Sequence, residues 1–306
     1  MSRLSIPDLE RRCQKPDHRR VGNWMARRIA RPAALRITRV VAPLGVTANA
    51  ATLAAWGAGL GAAAALGWGT PGGWLLGAAM LQLWYLLDHV DGQLARLRGT
   101  ASLDGVQLDY LMHHTLNLLV PVGAGWGLFV ARAEPLWAAA GLLWGLATLV
   151  ITLQHDARYK AFVQRLKRLR GRLEVVGGGG ARPQAQPPLP RNALRLAARL
   201  GRKACEMHVV MNLVTAIAAA QLLIGDQDLL FGAVYLATMA PLSAGVAVWD
   251  IVGSQHCQAA EHEFAAWYRV PPGKELSFRD GWWIAQDMQD GQLGDEPHYP
   301  AGPRSS

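Results

Sequence analysis

Six stretches of the chain are almost wholly apolar, and the polar residues fall between them in connections that are either very short or strongly basic. The stretches run at about 48–68, 73–96, 105–131, 136–155, 207–225 and 229–252. Each approaches the roughly 20 residues a helix needs to cross a bilayer. Several are rich in Ala and Gly, small residues that let membrane helices approach closely. The pattern predicts an all-α integral membrane protein built as a six-transmembrane-helix bundle. The alternative is a soluble bundle with Ala-rich core helices, because mean hydropathy is only +0.10.

The connections set the expected orientation. Segment 1–47 carries 11 Lys/Arg and segment 156–206 carries 13, whereas the short connections at 69–72, 132–135 and 226–228 hold only Arg132. Positive charge stays inside, so both termini and the 156–206 loop are expected in the cytoplasm. Within the leader, residues 19–39 alternate Arg with Trp24, Met25, Ile29, Leu35 and Ile37. That reads as an N-terminal interfacial amphipathic helix on an anionic leaflet, broken near Pro32. The long loop holds a linker of Gly then Pro at 177–190, flanked by basic segments expected to be helices on the membrane. The expected organisation is a leader at 1–47, a six-span domain at 48–252 with its basic loop at 156–206, and a tail at 253–306. The tail is acidic and contains Trp267, Tyr268, Trp282 and Trp283, so it is expected to fold against the cytoplasmic face.

Composition adds little beyond this. The chain has 306 residues, formal net charge +9, 12 Trp and three cysteines. Cys13, Cys205 and Cys257 have no ligand spacing, and a disulfide framework is not expected. Several Trp residues end apolar runs, as in an interface belt. No secretory signal is evident, and the Gly run lacks the Lys-Ser/Thr ending of a P-loop. No nucleic-acid partner is expected.

The acids carry the chemistry. Asp88 lies about 15 residues into the second stretch, roughly 22 Å along it and near the inner edge of the hydrocarbon. Ionised groups there face a wet cavity or a partner. Asp88, Asp91, Gly92 and Ala95 share one helix face at i, i+3, i+4 and i+7, and Gly105, Asp109 and His113 share another. The short connection 97–104 makes the two helices antiparallel neighbours, so the faces meet. Three acids and an imidazole converging would call for cations, and hard oxygen ligands suit Mg²⁺ or Mn²⁺ and phosphate chemistry. Gly92, Ala95 and Gly105 leave room for an extended ligand, and Arg96 offers a cation to a phosphate.

The pattern D-x2-D-G-x2-A-R-x8-G-x3-D resembles the CDP-alcohol phosphotransferase family, with Asp88, Asp91, Gly92, Ala95, Arg96, Gly105 and Asp109 at the family's spacing. Upstream, Asn49 and Thr52 resemble the family's opening of the first span, with Ala48 in place of Pro. The resemblance implies an enzyme that transfers a substituted phosphate from a CDP-linked alcohol to a hydroxyl acceptor, with CMP leaving. It implies two divalent ions held by the aspartates, with CDP-diacylglycerol as the donor expected in phospholipid synthesis. It implies a nucleotide pocket of Asn49, Thr52, Gly92, Ala95, Arg96 and Gly105, and a homodimer. The family's fourth Asp, a metal ligand and base, is His113 here. A neutral imidazole can act as base or ligand near pH 7, and its softer nitrogen shifts preference from Mg²⁺ toward Mn²⁺ or Zn²⁺. Arg158 and Lys160, ending the fourth stretch, are expected to bind a phosphate or carboxylate on the acceptor.

Two functional classes therefore stand. One is a membrane transferase with its site open to cytosolic nucleotide. The other is a non-enzymatic membrane protein, either a degenerate relative or a metal-ion-binding transporter. A transporter needs polar groups through several spans, and the outer halves here are nearly free of them.

Overall fold

The computed structural model describes residues 5–15, 18–20, 22–175 and 192–287, so the Gly/Pro linker at 177–190 lies outside the described residues. The six apolar stretches are six helices. These are α3 (Ala48–Leu66), α4 (Pro71–Arg98), α5 (Leu103–Arg132), α6 (Pro135–Lys167), α8 (Met207–Ile224) and α9 (Leu230–His256). Their ends are encoded locally. Thr47, Thr70 and Ser102 cap α3, α4 and α5, each side-chain oxygen accepting from a backbone N–H three residues on. Pro71 starts α4, and Gly99, in the left-handed region at φ 64°, ends it. Four of the six helices, α5, α6, α8 and α9, are long and apolar enough to cross a membrane by length and composition. Leu60, Leu83, Trp126, Val130, Leu222, Leu223 and Val234 are exposed on these and neighbouring helices. A soluble protein rarely leaves so much apolar surface bare, so the helices are those of a membrane-embedded protein. α3 and α4 fall outside that set. α3 is dominated by Ala and Gly, and α4 carries Gln82, Asp88, Asp91 and Gln93.

The chain forms two compact units, Met1–Val150 with Ala185–Ala247, and Ile151–Gln184 with Val248–Ser306. The divisions fall inside α6 and α9 rather than at the ends of the expected spans.

In the first unit α3 packs along both α4 and α5. α4 and α5 are neighbours, as the sequence predicts, meeting through side chains, and the slim α3 packs against both. Its approach to α5 is nearly backbone on backbone. A Cβ added at Gly123 would lie 2.2 Å from the Ala63 carbonyl, and one at Gly127 would lie 2.0 Å from that of Leu66. The core joins Trp74, Leu81 and Trp84 of α4 to Met112, Leu116 and Leu128 of α5, with Val210, Met211 and Val214 of α8.

Two short helices precede this bundle. α1 (Ile6–Cys13) is capped by Ser5 and has Pro at its start. It buries Leu9 and Cys13 against Leu35, with Leu97 beside them. α2 (Arg31–Val41) continues without interruption from a π-turn at Ala26–Ala30. The expected break at Pro32 is thus absent. Pro32 lacks the N–H that a continuous helix would use at that position, and the π-turn just before it absorbs the mismatch. The buried side of this helix is Ala26, Ala30, Ala34, Leu35 and Thr38, while Trp24, Ile29, Val40 and Leu44 stay exposed.

The second unit holds the acidic tail in folded form as far as Asp287, the last described residue. The basic segment after residue 157 is not a separate helix, since α6 runs through it to Lys167. The other basic flank is the helix α7 (Ala193–Ala204) of the first unit. Beyond α6 come two short strands, β1 (Leu169–Arg170) and β2 (Glu174–Val175). The tail adds α10 (Ala259–Trp267), β3 (Tyr268–Arg269), β4 (Lys274–Arg279) and β5 (Trp282–Asp287). β5 lies between β1, parallel, and β4, antiparallel, and β2 pairs with β3. The β4–β5 turn is Asp280-Gly281, both with positive φ (48° and 81°), the chemistry of a tight hairpin. Arg165 is the centre of this unit. It makes a two-armed ion pair with Glu261 and lies 4.7 Å over Phe264 and 4.0 Å over Trp283. Arg165→Met is expected to loosen the tail by about 1–2 kcal/mol, the value of such stacked cations. Limited proteolysis should then cleave the tail faster than in the wild type, and an unchanged cleavage rate would show that Arg165 does not hold it.

Candidate active site

The geometry of the site follows from the short α4–α5 connection. Gly99 ends one helix and Ser102 caps the next, so Asp88 and Asp91 on α4 come opposite Asp109 and His113 on α5. The two helices meet here through side chains. The His113 Nε2 lies 3.0 Å from Asp88 Oδ1 and 3.4 Å from Asp109 Oδ1. Its ring stands edge-on to Trp84 at 5.5 Å, which fixes its plane. Ligand atoms of Asp88, Asp109 and His113 all lie within 4.8 Å of one another, an O, O, N donor set compact enough for one divalent ion.

Asp91 is placed differently. It is only 8% exposed, and its Oδ2 accepts a 2.7 Å hydrogen bond from the Thr52 hydroxyl of α3. This pairing shows why a polar residue is needed on an otherwise Ala-rich helix: a buried carboxylate without a donor would be costly.

These residues line a cavity of about 400 Å³, within the range of small-ligand pockets. Asn49, Thr52, Asp88, Asp91, Gly92, Ala95, Arg96, Gly105, Asp109 and His113 all border it. Residues chosen from two separate sequence motifs thus converge on one wall-to-wall space. Gly92, Ala95 and Gly105 are small residues on its wall. A Cβ at Gly92 would come 3.2 Å from the Arg96 guanidinium, and one at Gly105 would lie 3.6 Å from Asn49 Oδ1. Arg96 is held by its Nε, which donates to the Cys13 carbonyl.

Arg158 and Lys160 do not border this cavity. They belong to the second unit, where Arg158 donates to Glu263 at 3.3 Å. His114 points elsewhere and stacks on Tyr110. His89 borders the cavity, with Nδ1 2.8 Å from the Tyr85 carbonyl and 3.7 Å from Asp88 Oδ2.

The sequence reading missed Gln14, Lys15 and Arg31, which also border the cavity. Arg31 sits in a run of arginines whose pattern points to a membrane surface. Gln14 and Lys15 follow α1, whose Ser5-Ile6-Pro7-Asp8 start is a helix-start signal.

Residues 39–170 match the family model described as CDP-alcohol phosphatidyltransferase. Comparison with curated proteins returned no match. The matched segment contains α3, α4 and α5 whole, and with them every acid and both histidines of the cavity. Over residues 39–170, fewer than half of its 306 residues, the chain is similar to the CDP-alcohol phosphatidyltransferase family.

Proposed function

We propose that the protein is a membrane phosphatidyltransferase that moves the phosphatidyl group of CDP-diacylglycerol to a hydroxyl acceptor and releases CMP in phospholipid synthesis. The observation that carries this reading is the convergence of both motifs on one cavity containing Asp88, Asp91, Asp109 and His113. Asp88, Asp109 and His113 are the side chains that would hold a divalent ion, with Asp91 toward a second, and Mg²⁺ or Mn²⁺ would supply charge neutralisation on the pyrophosphate. Arg96 contacts the nucleotide phosphates, while Asn49, Thr52, Gly92, Ala95 and Gly105 shape the nucleotide pocket. The acceptor oxygen forms a bond to the lipid-linked phosphorus, the anhydride P–O bond breaks, and CMP leaves with that electron pair. The acceptor's proton goes to His113 if His113 is the base. The same Nε2 faces both carboxylates, so His113 is base or ligand in any one state, not both.

A second reading has one observation in its favour. His113 bridges two carboxylates by itself, so the cluster is satisfied without a cation, as in a non-enzymatic relative. Direct binding separates this from the first. Calorimetry with CDP should show Mn²⁺-dependent binding that Gly92→Leu removes by filling the cavity. Binding that is absent in the wild type, or unchanged by Gly92→Leu, would count against the nucleotide pocket.

In this reading the protein has six spans, with α3 and α4 crossing as well. Both are flanked by other helices of the bundle, so they need less apolar surface than helices facing lipid. The helix from Trp24 to Leu44 lies on the inner leaflet, both termini are cytoplasmic, and two copies form a homodimer. The native cysteines test the topology. Cys257 is exposed, whereas Cys13 is fully buried and its thiol is pushed up by that burial, against the opposing charges of Arg96 and Arg12. In a Cys205→Ser background, an impermeant maleimide should label Cys257 only after cells are permeabilised. Labelling of intact cells would overturn the orientation.

A further inference from the structure

We propose that the outer edge of β4 is a docking surface for a second copy of this chain, whose own β4 pairs with it antiparallel about Ser277. The surface lies in the tail, outside residues 39–170, and is independent of the chemistry of the cavity. It goes beyond the homodimer proposed above by naming a place where two copies meet.

β4 ends its sheet in the order β1-β5-β4, so among the described residues no strand lies along its other side. Such an edge presents backbone donors and acceptors to any chain that can lie against it. The hairpin decides which residues turn outward. Asp280-Gly281 is a two-residue turn, so Arg279 and Trp282 close it as a hydrogen-bonded pair. Bonding alternates along an antiparallel ladder. Glu275, Ser277 and Arg279 therefore bond to β5, while the N–H and C=O groups of Leu276 and Phe278 turn outward. The rings of Phe278 and Trp283, 5.0 Å apart, belong to one of the closer, non-bonded pairs of that ladder. Phe278 is 54% exposed, a large ring left open at this edge.

The strand sequence Lys-Glu-Leu-Ser-Phe-Arg says what fits there. Outward groups pair only with outward groups, so a second β4 lying antiparallel can shift only in steps of two residues. With Ser277 opposite Ser277, Leu276 bonds to Phe278 of the second copy, and Phe278 bonds to its Leu276. Glu275 then stands opposite Arg279 of the second copy on one face of the sheet, and the twofold axis repeats the contact. Centred on Leu276 instead, the strands set Glu275 against Ser277. Centred on Phe278, they set Arg279 against Ser277 and Leu276 against Asp280. Neither neighbouring register forms a charge pair. Arg279 is exposed, and Glu275 uses Oε1 to accept from Gln286 at 3.3 Å, which leaves its second oxygen for a cation. Charges on an edge strand keep foreign strands away, and here the same charges complement a second β4 in one register. The contact is small, but two copies held in one bilayer meet at a raised effective concentration.

The test uses the full chain with Cys205→Ser and Cys257→Ser, reconstituted in lipid vesicles. Two differently tagged copies are mixed, one carrying Glu275→Cys and the other Arg279→Cys, and oxidised with copper phenanthroline. Opposed residues of a non-bonded pair lie about 4.5 Å apart at Cα, within the span of a disulfide. The mixed sample should give a covalent dimer carrying both tags. Either variant alone should not, because its cysteines would lie roughly 13 Å out of register. In a separate arm, energy transfer between copies labelled at Cys257 in the Cys205→Ser background reads association. Glu275→Arg and Arg279→Glu should each weaken it by about 3- to 10-fold, and the two changes together should restore it. Equal cross-linking in the mixed and single samples would overturn the proposal, even in a protein that is dimeric through its spans. Single charge changes without effect, or a double change without recovery, would overturn it too. Cross-linking that appears only after removal of residues 288–306 would assign the edge to the chain's own end and likewise overturn it. None of these outcomes bears on the transferase reading, which turnover decides.

Discussion

Asp88→Asn and Asp109→Asn are each expected to bring divalent-dependent CMP release down to background in a protein that still inserts and folds. Each change removes one ionised oxygen from a group whose ligand atoms lie within 4.8 Å of one another. A neutral amide is a poor ligand for a hard divalent ion, and in so small a donor set no other carboxylate stands in for it. Folding should survive for a separate reason. The buried contacts of α4 and α5 are made by Leu81, Trp84, Met112 and Leu116, not by the acids. Removing one of several like charges also relieves repulsion. The check is CMP release across Mg²⁺ and Mn²⁺ concentrations, together with Mn²⁺ binding followed by paramagnetic resonance. Loss of both signals with an unchanged melting profile is the expected result. Near-normal turnover in either variant would remove that residue from the metal cage.

The other large effect is expected at His113. His113→Ala should slow transfer by about 10²- to 10⁴-fold, the usual contribution of a positioned general base. His113→Asp should restore part of the rate, because it recreates the carboxylate that the family resemblance places at this position. The structure gives the reason for the size of the effect. Nε2 sits within hydrogen-bonding reach of Asp88 and close to Asp109, while the ring edge rests against Trp84. Ala would leave both carboxylates without their shared partner and open a gap beside Trp84. Asp is smaller than His and negative, so recovery with Asp would show that charge and ligation matter more than packing. Turnover at saturating Mn²⁺ for the three proteins is the measurement. If Ala equals wild type, His113 only packs against Trp84. If wild type is inert and His113→Asp is active, the natural protein is a non-enzymatic relative.

The bundle was legible in the sequence where signals are local. Thr47, Thr70 with Pro71, Ser102 and the glycines 99 and 225 mark helix ends, and all six apolar stretches are helices, with α6 running on to Lys167 beyond its expected end. The acids and His113 were legible because helical spacing alone puts them on two facing sides. What lay outside that reach was tertiary. The close approach of α3 to α5 depends on backbone contact at Gly123 and Gly127, and no periodicity reports which neighbour a glycine meets. α1 has only eight residues, a length at which a helix is marginal without the packing of Leu9 and Cys13, and that packing is tertiary. Arg31 reads like its neighbouring arginines until the fold turns it to the cavity. In the tail, Asp280-Gly281 between strand-forming residues was the available hairpin signal. The pairing of β5 with β1 joins residues more than 110 positions apart, and composition does not encode it.

The most direct test of the central claim is turnover in lipid vesicles. Purified protein would be reconstituted with CDP-diacylglycerol, Mg²⁺ or Mn²⁺, and matched hydroxyl acceptors with and without a phosphate. Released CMP would be counted against lipid products identified by mass spectrometry. The account predicts one CMP for each new lipid, with the mass of a phosphatidyl group joined to the acceptor, and none from the Asp88→Asn protein. CMP released without an acceptor-joined lipid, or no CMP with any acceptor from folded protein, would contradict it.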